Sequence, residues 1–212
     1  MQPQLQLLIV APESELDTRN EILNAVGPDT AKVLHGPISV QTVLDHIKSG
    51  EYTGVHFAGH GTQMRLNFTD GSLDAALLGD AIRKNGRMIM CLFNSCDSIG
   101  AAMESHRAGS SYAIAWQDEV SDKVAITFAF AFWASYKMHN NVADAYRTGR
   151  EAVIFGHPDN RNLPFMFNGQ NRAAQERLTQ LTADAVKSQR LSWIIIGLLS
   201  LALAVETLLH LV

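Results

Sequence analysis

Gly54-Val55-His56-Phe57-Ala58-Gly59-His60-Gly61 and Arg87-Met88-Ile89-Met90-Cys91-Leu92-Phe93-Asn94-Ser95-Cys96 are two apolar runs, each closing on a reactive side chain. Both read as buried strands of a parallel sheet. The first stops at a histidine between glycines, and the second at a cysteine followed by the polar pair Asp97-Ser98. In an open α/β sheet, sites form at the carboxyl edge of the parallel strands, where the backbone opens into loops and helix N-termini. If the two strands are neighbours, His60 and Cys96 face each other across that edge.

The chemistry gives the pairing its sense. A thiol is a weak nucleophile until ionised, with an unperturbed pKa of about 8.5 that an adjacent imidazolium or a helix N-terminus lowers. Cys96 has both prospects, since Asp97 and Ser98 are good N-cap types for a following helix. Gly61 allows close backbone approach to a substrate carbonyl, so its N–H and that of Cys96 are candidate oxyanion donors. The outline is a cysteine acyl-transfer site.

His-Phe-Ala-Gly-His-Gly ending one strand, and Asn-Ser-Cys-Asp-Ser ending another with Cys96 thirty-six residues after His60, resemble the caspase-like cysteine peptidases. Within these the pattern is most similar to the CHAT group, which also includes separase. The match continues through Tyr112-Ala-Ile-Ala-Trp116, Val120-Ser121-Asp122-Lys123, an aromatic helix through Phe132 and Trp133, and Asn141-Val-Ala-Asp-Ala-Tyr146. It covers roughly residues 50 to 170. Gln117, Asp118 and Glu119 separate Trp116 from Val120 where the family usually has one residue.

The resemblance implies a caspase-like (caspase-haemoglobinase) α/β three-layer sandwich with a mostly parallel central sheet. It implies a cysteine endopeptidase with His60 and Cys96 catalytic and no cofactor, acting on a protein substrate. A regulated prokaryotic defence or cell-death effector is the implied setting, switched by an activating partner or by self-assembly. Separase-like relatives place an acid at the floor of the pocket for a basic P1 side chain, and Asp122 matches that position. The competing reading is that Asp122, after Ser121, caps the helix behind it. Asp118 and Glu119 are rival pocket acids. His56, four residues before His60 on a period-two strand, invites a metal reading with Cys91 or Cys96. No short Cys/His or carboxylate spacing typical of zinc supports it, so metal: none is the expectation, with His56 packed and Cys91 in the core.

The chain has 212 residues, 47% hydrophobic and 18% charged, with a formal charge of −4. Its length suits one α/β domain with an appendage. The charge balance carries no basic patch, so nucleic acid is not an expected direct partner. Cys91 and Cys96 are too close along one strand for disulfide geometry, and a reducing compartment fits. Met1-Gln-Pro-Gln carries no positive region and residues 5–10 are too short for an export signal.

The apolar excess sits at the end. Residues 191–205 are uncharged, Glu206 and His210 follow, and no Lys or Arg occurs after Arg190. At 1.5 Å rise per residue, 191–212 spans about 30 Å as a helix, enough to cross a hydrocarbon core. It reads as a single-pass membrane anchor contacting the lipid bilayer. Trp193 stands at the interface, and Lys187 and Arg190 outside it hold the domain in the cytoplasm. A buried or interfacial helix is the alternative, although the segment has no polar stripe.

In order, the pattern predicts a strand at 5–12, a helix at 17–26, a strand at 31–34 and a helix at 39–48. Pro12-Glu-Ser-Glu has no glycine, which argues against a dinucleotide fold. After His60, Asp70-Gly71 signals a two-stranded excursion within 63–72. Then come a helix at 73–84, the strand at 87–94, a helix at 98–107, a strand at 111–116, helices at 121–137 and 142–154, and an edge strand at 163–168. The domains expected are a peptidase domain at 1–169, a polar helical linker at 170–190 and the anchor at 191–212. Two other functional classes compete with the enzyme: a catalytically silent caspase-like binding and assembly module, and a membrane-disrupting effector gated by the domain.

Overall fold

The computed structural model describes residues 5–12, 30–62, 64–160 and 162–169. The helix expected at 17–26, the linker at 170–190 and the apolar segment at 191–212 lie outside them. The chain divides after Gly169 into two units, Met1–Gly169 and Gln170–Val212, and every described strand and helix belongs to the first. Among the described residues no helix is long and apolar enough to cross a membrane.

The strands are β1 (Leu7–Ala11), β2 (Ala31–His35), β3 (Gly54–Ala58), β4 (Gly61–Thr62), β5 (Arg65–Phe68), β6 (Gly71–Asp74), β7 (Met90–Asn94), β8 (Tyr112–Ala115) and β9 (Phe165–Asn168). The helices are α1 (Val40–Lys48), α2 (Ala75–Asn85), α3 (Ile99–Arg107), α4 (Asp122–His139) and α5 (Val142–Gly156). Six strands form the central sheet in the order β2-β1-β3-β7-β8-β9, parallel except for β9 at the edge. Every residue of β1, β3 and β7 is buried, as interior strands covered on both faces must be.

The two faces separate by parity. Leu7, Ile9, Met90, Leu92, Ile114 and Met166 pack with Phe128, Phe132 and Trp133 of α4 and Val142, Ala145 and Val153 of α5. The alternate set, which includes Phe57, Cys91 and Phe93, turns to the face over which α1, α2 and α3 lie side by side. The result is three layers, as the caspase-like resemblance implies.

Local chemistry sets the boundaries. The Ser39 hydroxyl accepts from the Thr42 amide and starts α1; Asp74 does the same for Ala76 and α2. Gly86 in the left-handed region (φ 67°) ends α2. Asn85 then ties three segments: its amide donates to the Ile47 and Tyr52 carbonyls, and its Oδ1 accepts from the Arg87 amide. That anchorage holds 86–89 as a loop, so β7 starts at Met90 and not at Arg87. The helix expected from Leu73 starts at Ala75, because Leu73 and Asp74 pair in β6. The excursion after His60 has three strands, β4-β5-β6, where two were expected. Its tight loop is Thr69-Asp70, with Gly71 (φ 149°) paired opposite Phe68.

Candidate active site

Two adjacent strand ends build the site. β3 and β7 pair in parallel with Ala58 opposite Asn94, the last residue of each. Neighbouring strands lie about 4.8 Å apart. His60 and Cys96 each follow two residues beyond that final pair, level with one another on the carboxyl edge. Both line one small cleft, with Ser95, Val120, Asp122 and Ile126 among its other walls.

The turn after β7 presents the sulfur. Asp97 sits in the left-handed region (φ 50°), unusual for a residue with a side chain, and its amide donates to the Asp118 carbonyl at 3.2 Å. Ser98 occupies the N-cap position of α3 but makes no capping bond there. Its hydroxyl turns back to the Ser95 carbonyl (2.7 Å) and the Phe93 carbonyl (3.3 Å), so Ser98 does not cap α3 through its side chain. Cys96 is half-buried, and its Sγ lies 3.4 Å from both the carbonyl oxygen and the amide nitrogen of Val120. The sulfur donates to the first and accepts from the second.

Gly61 stands against the other strand end. A Cβ there would lie 2.6 Å from the Ser95 Oγ and 2.9 Å from the Arg65 carbonyl oxygen, so only glycine fits. Gly61 falls just outside the lining of the cleft, while His60 is exposed within it, its carbonyl accepting from the Asn67 amide at 2.9 Å.

Asp122 is the first residue of α4 and lines the cleft, so its helix-starting and pocket-wall positions coincide. Ser121 takes the N-cap position without a side-chain bond. Of the rival acids, Asp118 lines a different cavity and Glu119 lines neither.

His56 and Cys91 are separated from the cleft and from each other. β3 ends at Ala58, so the period-two argument that aligned His56 with His60 stops short of His60. His56 is fully buried on the α4 face, where its Nδ1 accepts from the Trp133 Nε1 at 2.8 Å. Burial lowers its pKa from 6.5 to about 3. Cys91 is buried on the opposite face, where loss of solvent pushes the thiol up to about 12 against the pull of the Ser105 and Ser110 hydroxyls. His56 and Cys91 therefore lie on opposite faces of the sheet, and among the described residues no three metal-ligating side chains gather.

Sequence reasoning missed Asn94, the residue that fastens the cleft to its back wall. Its Oδ1 accepts from the Trp116 Nε1 (2.9 Å) and its Nδ2 donates to the carbonyl of Ala125, a cleft residue on α4 (3.0 Å). A buried asparagine closing an apolar strand, with a tryptophan closing the next, is the signal that could have exposed it.

By sequence, no protein-family model and no curated protein matches the chain. By structure it is similar to a chain of the Saccharomyces cerevisiae separase–securin complex, with a TM-score of 0.56 at 12% identity over 78% of this chain and 12% of that one. It is equally similar to a structure described as a protease, with a TM-score of 0.56 at 10% identity over 78% of this chain and 47% of the other. The fold is one shared with that separase chain and with that protease structure. This chain spans about an eighth of the separase chain and about half of the protease.

Proposed function

We propose that the chain is a cysteine endopeptidase. The observation that carries this is the placement of His60 and Cys96 level at the ends of two adjacent parallel strands, in one cleft. The fold shared with separase supports the reading. In the proposed reaction His60 takes the thiol proton and the Cys96 Sγ bonds to the scissile carbonyl carbon. The oxyanion rests on the Gly61 and Cys96 amides. Collapse breaks the C–N bond, His60 gives the proton to the leaving amine, and water then hydrolyses the thioester with His60 as base. Asp122 forms a charge-assisted pair with an Arg or Lys at P1. The segment 191–212 anchors the enzyme in a membrane with the domain on the cytoplasmic side, as a regulated defence or cell-death effector.

One observation favours a second reading, the catalytically silent module: the Cys96 sulfur is already engaged by both backbone groups of Val120. The two part company in one experiment. Cys96→Ala and His60→Ala are compared with the native chain in a proteome-wide screen for new peptide N-termini. Loss of all specific cleavage in each variant is expected, and near-native cleavage in either defeats the peptidase.

A further inference from the structure

A second, larger cavity of about 510 Å³ is walled by Gln117, Asp118, Tyr146, Arg150, Asn162 and Phe165 among others. Its cation is Arg150, which also hydrogen-bonds the Tyr146 side chain. The Arg150 guanidinium lies over the Tyr146 ring, 5.6 Å from the centroid. Its Nε is shielded from solvent without a hydrogen-bond acceptor, and among the described residues no ion pair joins it to a carboxylate. A guanidinium offers five donors in a planar fork, and a carboxylate is the acceptor that matches two of them. With no carboxylate paired to it among the described residues, the Arg150 charge is left for an acceptor that a ligand brings into the cavity.

The remaining walls narrow the ligand. Tyr146 is held in place by its hydroxyl, which donates to the Pro164 carbonyl at 2.7 Å, and with Phe165 it offers aromatic surface. Asp118 brings a carboxylate into the same space. A multiply charged phosphate would meet that carboxylate head-on. A peptide carries one carboxylate for Arg150 and amide N–H groups for Asp118, and a cavity of this size accepts several residues.

The cavity also touches the catalytic sulfur through three consecutive residues. The Asp118 carbonyl holds the amide of Asp97, the Glu119 carbonyl accepts from the Asn162 amide at 2.8 Å, and Val120 holds the Cys96 Sγ. Asp118 and Asn162 both line the cavity. Through these bonds both residues are tied to the loop whose Val120 engages the sulfur.

We propose that this cavity is a regulatory site for an acidic peptide segment of a partner protein, whose Asp or Glu carboxylate takes Arg150, and whose binding draws the 118–120 loop off Cys96. The release of Cys96 rests on the peptidase reading; the binding does not. The test uses the full chain and blocked tetrapeptides, N-acetylated and C-amidated, each with one Glu or its Gln counterpart. Calorimetry is expected to show Glu peptides binding at least about tenfold more tightly than Gln peptides. Arg150→Gln removes that preference. Arg150→Lys, which keeps a point charge without the fork, weakens it, and serves if the Gln variant loses its circular-dichroism signature. Iodoacetamide alkylation of Cys96 is expected to speed up several-fold with bound Glu peptide in the native chain only. No binding up to millimolar peptide, or equal affinity for Glu and Gln, overturns the site. Preferential binding with an unchanged alkylation rate overturns the release. An uncleaved proteome with both effects intact counts against the peptidase alone.

Discussion

Within each of two strand segments, one reactive side chain lies in the strand and one just past its end, and the two meet opposite fates. Cys96 is half-buried on the cleft, and Cys91 is wholly buried with its thiol pushed up to about 12. Iodoacetamide at mildly alkaline pH is therefore expected to modify one thiol of the native chain, and none in Cys96→Ser; mass spectrometry of the intact protein reads the count. His56 carries a stability consequence. Its pKa is about 3 in the fold and about 6.5 in the unfolded chain, so between these values only the unfolded state binds the proton. Stability is full above about pH 6.5 and falls as pH drops toward 3, by up to about 1.4 kcal/mol per unit. Denaturation midpoints measured across that window should show a shallower slope in His56→Phe, even though this variant also loses the Trp133 hydrogen bond. Gly61→Ala forces a Cβ onto Ser95 and the Arg65 carbonyl. It is expected to cost about 1–3 kcal/mol and, on the proposed mechanism, to depress peptide cleavage, because the strain falls between the two strand ends that carry His60 and Cys96.

Among the elements, the ends of β3, β7 and β8 and the start of α4 converge on the cleft, and Asn94 is the clamp that joins them. Asn94→Leu leaves the Trp116 N–H buried and unpaired and removes the second hydrogen bond to the Ala125 carbonyl. The expected loss is about 2 kcal/mol or more in chemical denaturation. Cleavage should fall further than stability, since Ala125 and Asp122 sit on one turn of the cleft wall. The α4–α5 pair is similarly tight: a Cβ at Gly149 would lie 2.7 Å from the Phe128 ring and 3.1 Å from its backbone carbonyl. Gly149→Ala should lower the melting temperature by several degrees, consistent with about 1–3 kcal/mol of overpacking. Each of these helices was legible in the sequence, because caps and apolar spacing act within a turn or two of chain. Asn141, for example, caps α5 by accepting from the Ala143 and Asp144 amides. The starts of α2 and β7 were not, because pairing across β5 and the anchorage of Asn85 override local propensity there.

For the whole molecule, the proposed anchor makes the clearest prediction. The full chain is expected to float with phospholipid vesicles in a density gradient, and the chain lacking 191–212 to stay at the bottom; equal behaviour of the two removes the anchor. The mostly parallel α/β sheet, and the placement of His60 and Cys96 just past two of its strands, could be read from the chain itself. Unbroken apolar runs mark interior strands whatever they pair with, and a reactive residue just past such a run falls at a sheet edge. What tertiary structure alone decided was adjacency, register and face. It set Ala58 opposite Asn94, sent His56 and Cys91 to opposite layers, chose Asp122 over Asp118 for the cleft, and laid Val120 on the sulfur. These depend on contacts between residues as far apart in sequence as Cys96 and Val120, or His56 and Trp133. A strand's period of two turns any one-residue change of register into a change of face, so a linear pattern leaves such contacts open until the strands are paired.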